Sequence, residues 1–509
     1  MKKRIFTGLV AVCAATGLYA QTCLPEDLAW RVKDEAFNRS QVEALSQFMT
    51  DGLGPRLAAS RMKLRAEGLV IAKLAEWGLT DPRAEFAAEF DKGGWDNERN
   101  YVAMTAPYYC SFAANPKAWS GSTDGLVQGQ CAVLDVKTPA DLERYRGKLN
   151  GKIVLMPVQQ TYEISFKPLA SRYTDERLKE MERDPRPGGR RWSSRSGDRK
   201  AQQELQAAID ALLEEEGVLA VVSGSGAFNV PSSRGVAYKV GDPLPLPEIV
   251  LPIEDHGRMV RLIAAGEQVE MELDIRNAFT DNRKINNVIA EIPGCDAALK
   301  NEVVLIGAHL DSWHGGTGGA DNAAGCIVMM EAMRILRTLD VAPRRTIRLA
   351  LWGGEEQGLF GSRGYATRYL YDDATKTARP GYEQFALYLN MDFGSGRFRG
   401  VYLEENDQAL PFFEAWKRPL VSLGFNTLSP IKVGSTDHVS FSRLGLPAYQ
   451  FIQDPLEYSR TYHTTMDTYE RLSLDDLKVN AAIVAWLALN AAMDDRRIPA
   501  KPGYPAAVE

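Results

Sequence analysis

Val303-Val-Leu-Ile-Gly-Ala-His309-Leu-Asp311-Ser-Trp-His314 is an apolar run that turns abruptly into imidazole and carboxylate. Six apolar or small residues bounded by polar ones read as a buried strand. The same event recurs downstream. Thr346–Trp352 passes through Gly353-Gly354 into Glu355-Glu356, and the strand expected over Phe385–Asp392 ends in its own carboxylate. A further strand is expected over Pro447–Ile452, and helices over Ala323–Leu339 and Leu474–Met493. Strands alternating with helices indicate an α/β sandwich around a largely parallel sheet. In such sheets ligands bind just beyond the strand carboxyl ends, which is where the charged residues fall.

Outward from this block, residues 26–80 read as helical with a break at Gly52-Leu-Gly-Pro-Arg56. Met62, Ala66, Leu69, Val70, Leu74 and Trp77 recur at helical spacing and form a core stripe. From 116 to 281 the texture changes. Lys152–Met156 and Val218–Val222 are short apolar runs, separated by a charged, Pro- and Gly-rich stretch at 167–200 and an amphipathic helix at 201–215. Leu251–Ile275 follows as strand, helix, a turn at Gly266 and strand. This middle block has one His, His256, and no acidic cluster, so it is expected to be a separate non-catalytic module.

The 509 residues are 45% apolar and 25% charged, ample for a large core and more than one domain. Lys2, Lys3 and Arg4 precede a short apolar run, Ile5–Ala15, and Ala20 is a small residue suited to cleavage. That is the layout of a secretory signal over residues 1–20, too short to span a bilayer, so an exported (periplasmic or secreted) chain is expected. Removing it takes away three basic residues and no acidic one, which moves the formal charge from −6 to −9. An acidic chain argues against nucleic acid as a partner, and the basic tract Arg186–Arg195 reads as a solvated loop. No stretch of the mature chain is expected to span a membrane. Cysteines at 13, 23, 110, 131, 295 and 326 make no disulfide framework; a Cys110–Cys131 bridge is permitted by nearness in sequence alone.

Four of the five His lie beyond residue 286, together with Asp321-Asn322 after a Gly-rich loop and Tyr462-His463 in a polar loop. Taken singly, a His at a strand end is more often structural, Asp321 could cap a helix, and Glu355-Glu356 could be a solvated turn. Together on one sheet they suit zinc, whose catalytic sites keep an open position. A bridging carboxylate can hold two such ions about 3.5–4 Å apart. Asp311 is placed to fix the His309 tautomer, and a Glu beside a ligand Glu can act as proton acceptor. Other hydrolase signatures are missing. No Ser has Gly two positions before and two after, His-Glu-x-x-His does not occur, and the Gly-Lys pairs at 147 and 151 lack a following Ser or Thr. A receptor that keeps this fold without chemistry is the alternative; its mark would be loss of a ligand or of the base.

These segments resemble metallopeptidase family 28, the co-catalytic zinc exopeptidases. His309-Leu-Asp-Ser-Trp313, Leu351-Trp-Gly-Gly-Glu-Glu-Gln357, Gly54-Pro-Arg-Leu57 and Ser435-Thr-Asp-His438 look most like its carboxypeptidase Q branch. The resemblance implies a three-layer, phosphorylase/hydrolase-like zinc exopeptidase domain at 21–115 and 282–495. It also implies an inserted, mostly β protease-associated-like domain at 116–281 and a tail at 496–509. It places His309 and Asp392 on one zinc, Glu356 and His463 on the other, and Asp321 between the two. It makes Glu355 the general base, Asp311 the orienting partner of His309, and Tyr462 an oxyanion donor. Asp437 and His438 are expected near the site but not as ligands. The expected substrate is a peptide, without preference between its two ends.

Overall fold

The computed structural model describes residue 24 and residues 26–157, 164–183, 196–225 and 230–502. The expected signal at 1–20, Cys13 and Cys23, the basic tract at 186–195 and the end of the tail fall outside the described residues.

The first sheet has eight strands in the order Thr80–Glu89, Lys284–Ile292, Thr346–Trp352, Val303–His309, Phe385–Asn390, Ala448–Gln453, Phe398–Tyr402 and Thr427–Ser429. Its four central strands run parallel, in the register Val304↔Ile347, Leu305↔Tyr388 and Leu389↔Tyr449. Antiparallel pairings join both flanks, so the sheet is mixed around a parallel centre. Period-two alternation assigns the faces. Val304, Ile306 and Ala308 pack with helices Ala324–Thr338 and Leu474–Met493 in the main core. Leu305, Ala350, Trp352 and Tyr388 pack on the other face with Tyr365 and Ala366 of helix Phe360–Tyr369.

Helix Arg61–Glu76 starts at Ser60, whose hydroxyl accepts the Lys63 N–H at 3.0 Å, and stops before Gly78 in the left-handed region. Leu474–Met493 is apolar enough, and at 20 residues long enough, to cross a membrane by composition alone, contrary to the expectation that no such stretch exists. Here it is a core helix: 89% of its most apolar stretch is buried inside the protein.

A second eight-stranded sheet has the order Cys110–Ser111, Gly94–Ala106, Glu270–Thr280, Val127–Val133, Ile153–Leu155, Ala220–Gly224, Glu248–Leu251 and Asn115–Pro116. Its longest ladder pairs Gly94–Ala106 with Glu270–Thr280, so the sheet reaches back ahead of residue 116. Among the described residues, no strand from 116–281 enters the first sheet. Helices Ser196–Glu215 and Ile253–Ala264 pack against the second sheet. Cys110 and Cys131 are both free thiols; Cys131 is buried and Cys110 accepts a contact from the Arg258 guanidinium at 3.3 Å.

Part of the charged 167–200 stretch is docked on the first sheet's domain. Ser171 bridges to Leu456, and Arg172 pairs with Asp454 at 2.9 Å and Asp476 at 2.7 Å. Leu178 and Met181 pack on Ile452, and the Ser429 hydroxyl donates to the Met181 carbonyl.

Candidate metal centre

Two groups of side chains gather beyond the carboxyl ends of the parallel strands: His309, Asp321 and Asp392, and Asp321, Glu356 and His463. Asp321 belongs to both. Its Oδ1 lies 3.2 Å from His309 Nε2, and its Oδ2 lies 3.4 Å from His463 Nε2. Asp392 Oδ1 stands 3.5 Å from His309 Nε2, and Glu356 Oε2 stands 2.8 Å from His463 Nε2.

Each ligand is held by backbone as well as by packing. His309 is the last residue of its strand, and its Nδ1 lies 2.9 Å from the Asp311 carbonyl oxygen. A carbonyl can only accept, so Nδ1 carries the proton and Nε2 points its lone pair at the carboxylates. The sequence assigned this role to the Asp311 side chain. Its carboxylate is 3.8 Å from Nδ1, and instead accepts the backbone N–H groups of Glu355 (3.2 Å) and Glu356 (3.3 Å). Asp311 therefore ties the His309 turn to the Glu-Glu turn. Asp321 is fixed by Asp467, whose carboxylate accepts the N–H groups of Ala320 at 2.5 Å and Asp321 at 3.0 Å. Asn322 donates to the Met391 carbonyl at 2.8 Å, which pulls this turn against Asp392. Gly325 permits that approach, because a Cβ there would sit 2.7 Å from the Met391 oxygen. Gln450 donates to the Asp392 carbonyl at 2.6 Å.

His463 has φ +55°, a left-handed conformation that costs a non-glycine residue free energy. The Ser233 N–H, from the segment between strands of the second sheet, donates to its carbonyl at 2.6 Å and holds it there. Trp313 meets the His463 ring edge-on at 5.7 Å, and Tyr462 stacks on it with centroids 3.6 Å apart. Tyr462 itself is 47% exposed, at the open side of the centre.

The electrostatics call for cations. His309 Nε2, Asp321 Oδ2 and Glu356 Oε1 are buried without a hydrogen-bond partner, so lone pairs face lone pairs. Burial opposes charge on the His309 ring, but Asp392 and Asp321 outweigh it and hold the imidazole well above its ordinary range. Burial, reinforced by Asp392, Asp437 and Glu356, raises the Glu355 carboxyl well above the usual range. Burial and Asp321 do the same to Glu356. Asp437 and Asp467 are each pushed up to about 7, chiefly by burial. Divalent cations would relieve this crowding, and an imidazole-plus-carboxylate donor set suits zinc, manganese or cobalt.

Of the residues singled out from sequence, the structure brings His309, Asp321, Glu356, Asp392 and His463 together, with Glu355 and Asp311 against them. Asp437 is buried near Glu355 and Asp392, while His438 pairs with Glu404 at 3.3 Å. Sequence reasoning missed Asp467, although it lies in the polar loop that carries His463. It also gave no role to Arg56, which is fully buried and donates to the carbonyls of Met49, Gly54, Leu310, Thr317 and Gly318. The signal was the Gly-Pro-Arg break, which interrupts a helical stripe with a cation. Asn390 and Gln450, linked at 2.8 Å, were legible only as polar residues at the ends of apolar strands.

Two imidazole–carboxylate triads that share one aspartate, set beyond the parallel centre of a mixed sheet, are groups that could hold metal ions. Residues 287–488 match the model of peptidase family M28. Human carboxypeptidase Q is 25% identical over 500 residues, covering 97% of this chain and 93% of that protein. The fold is shared with a peptidase M28 precursor from Shewanella amazonensis SB2B (TM-score 0.66, 23% identity, 94% of this chain and 98% of that one). It is also shared with a zinc aminopeptidase from Bacillus subtilis (TM-score 0.56, 19% identity, 90% and 98%).

Proposed function

We propose that the protein is an exported, two-zinc exopeptidase that removes terminal residues from peptides or splits dipeptides. The observation that carries this reading is the sharing of Asp321. One carboxylate presents its two oxygens to two separate imidazoles, each with a further carboxylate beside it. His309, Asp392 and Asp321 Oδ1 would hold one ion, and Glu356, His463 and Asp321 Oδ2 the other. Such a pair supplies Lewis acidity toward a carbonyl oxygen and eases deprotonation of water at neutral pH.

The chain's own groups do the rest. Glu355 follows the same strand as Glu356, but adjacent residues cannot offer one ion the same geometry. Its carboxylate is left to accept a proton from the attacking water and to return it to the departing amine. Asp311 holds Glu355 and Glu356 in register through their backbone N–H groups. Tyr462, at the open rim, would offer its hydroxyl to the developing oxyanion. The second sheet, from Gly94 to Thr280, is read as an inserted module of protease-associated type; Ser233 gives it a structural role at His463. The relatives' names, carboxypeptidase Q and zinc aminopeptidase, support exopeptidase action without choosing the end attacked.

Metal titration tests the reading. Protein stripped with a chelator should be inactive on unblocked di- and tripeptides and should regain activity as zinc approaches two equivalents. Full activity after stripping, or saturation at one equivalent, would overturn it.

A further inference from the structure

The segment Pro231–Val236 joins strands Ala220–Gly224 and Glu248–Leu251 of the second sheet, yet it lies along the loop that carries His463. Ser232 bridges antiparallel to Thr464, and the Thr465 N–H donates to the Pro231 carbonyl at 3.2 Å. With the Ser233 N–H on the His463 carbonyl, residues 463–465 are paired one after another to residues 231–233. The segment is tied in turn to its own module. The Ala118 N–H donates to the Arg234 carbonyl at 2.8 Å, and the Val236 N–H to the Ala118 carbonyl at 3.0 Å. Side chains add a second tie. Asn115, on edge strand Asn115–Pro116, donates from Nδ2 to the Ser232 carbonyl at 3.2 Å and to the Ser233 hydroxyl at 3.1 Å. The same hydroxyl accepts the Gly315 N–H at 3.1 Å, from the loop that runs on from His309 through Trp313. Gly315 lets these groups meet, since a Cβ there would sit 2.4 Å from Ser233 Oγ and 2.7 Å from Asn115 Nδ2. Asn115 and Ser233 are both buried, so removing either partner leaves polar groups unpaired away from water.

We infer that Asn115 and Ser233 are positioning residues for the Glu356–His463 half of the metal centre, so that the second sheet's module completes one ion site and not the other. The inference rests on the two-zinc reading and deepens it. The His309–Asp392 half is held from within the first sheet's domain. Its supports are the Asp311 carbonyl at His309, the Gln450 carboxamide at Asp392 and the Asn322 carboxamide at Met391. His463, by contrast, sits in a left-handed conformation that persists only where its surroundings over-determine it. The module supplies that constraint from two directions. Its backbone pairs with 463–465, and the Asn115–Ser233 pair locks the pairing segment to the Gly315 turn beside Trp313, whose ring meets the His463 imidazole.

Zinc competition against a chelating dye, resolved into two successive affinities on the full chain, tests this without turnover. Asn115→Leu keeps the size of the side chain and removes its donors. It should weaken one step about tenfold and leave the other within about twofold. Ser233→Ala keeps the backbone N–H on His463 and should weaken the same step by a smaller factor. Glu356→Gln identifies that step, because the affinity it retains belongs to His309 and Asp392. Adding Asn115→Leu to Glu356→Gln should leave that retained affinity unchanged, whereas a general loosening of the fold would lower it. Two steps weakened alike, no step weakened in either variant, or a further loss in the double variant would overturn the inference. If Asn115→Leu does not fold, Ser233→Ala alone and with Glu356→Gln makes the same comparison. An unaltered protein that binds a single ion would fail the two-zinc reading and the inference together; two ions without step-selective loss would fail the inference alone.

Discussion

Replacing Arg56 by Met keeps most of the stem volume and removes every donor. In the structure the guanidinium donates at 2.7 Å to Leu310 and Thr317, 2.9 Å to Gly54, 3.0 Å to Gly318 and 3.1 Å to Met49. It ties the break after the N-terminal helices to the two loops that carry His309–Asp311 and Asp321. A buried acceptor left unsatisfied costs roughly 1–3 kcal/mol, so five set an upper bound of about 5–15 kcal/mol. Carbonyls with second lone pairs and entering water reduce this, and the desolvation that the buried cation no longer suffers offsets more. A loss on the order of 3–5 kcal/mol is expected, the scale for breaking a buried charged contact, against a typical folding free energy of about 5–15 kcal/mol. For a domain of this size that lowers the melting temperature by on the order of 10 °C. The loss should persist in chelator-stripped protein, because the bonds are to backbone rather than to ligands. Thermal melts of stripped Arg56→Met and the unaltered protein measure it. A shift below about 3 °C would refute the reasoning.

Asp467→Asn keeps the shape but can accept only one of the two N–H groups that position Asp321. Zinc affinity should fall roughly 10–100-fold, beyond a loss of about 1–3 kcal/mol in the stripped protein for the N–H left without an acceptor; competition against a chelating dye reads this, and unaltered affinity contradicts it. His314 is depressed to about 4 by burial, its Nε2 donating to the Pro116 carbonyl at 2.6 Å. Between the unfolded value near 6.5 and about 4 the unfolded chain binds the extra proton. Stability is therefore complete above about pH 6.5 and declines by up to about 3 kcal/mol as pH falls toward 4. His314→Gln should flatten that part of the stability–pH curve, and an unchanged slope would exclude His314 as its source.

The parallel centre of the first sheet was legible because its strands are short apolar runs ending in chemistry. Val303–His309, Thr346–Trp352 and Leu474–Met493 lie within a residue of where periodicity puts them. The mixed flanks were not, because the pairing of Thr80–Glu89 with Lys284–Ile292 joins segments about two hundred residues apart. The long ladder between Gly94–Ala106 and Glu270–Thr280 hid for the same reason. The metal-facing side chains were legible as a set because imidazole and carboxylate are rare at strand ends. Their supports were not: Asp467 and Arg56 act on backbone N–H and C=O groups, which carry no residue identity. Asp311 shows the limit most sharply. Its spacing from His309 pointed to its carboxylate, while the structure gives that bond to its carbonyl and sends the carboxylate to Glu355 and Glu356.

The division of labour between Glu355 and Glu356 is the centre of the account. Glu355→Gln keeps the side chain's shape and removes its capacity to accept a proton, while Glu356→Gln weakens one ligand set. Metal content and turnover should be measured together on both variants. The account expects Glu355→Gln to fold, to hold two zinc ions and to lose at least about 10²-fold in kcat. It expects Glu356→Gln to hold close to one ion and to recover activity in excess zinc. A Glu355→Gln protein that keeps near-full turnover, or that loses a metal ion, would contradict it.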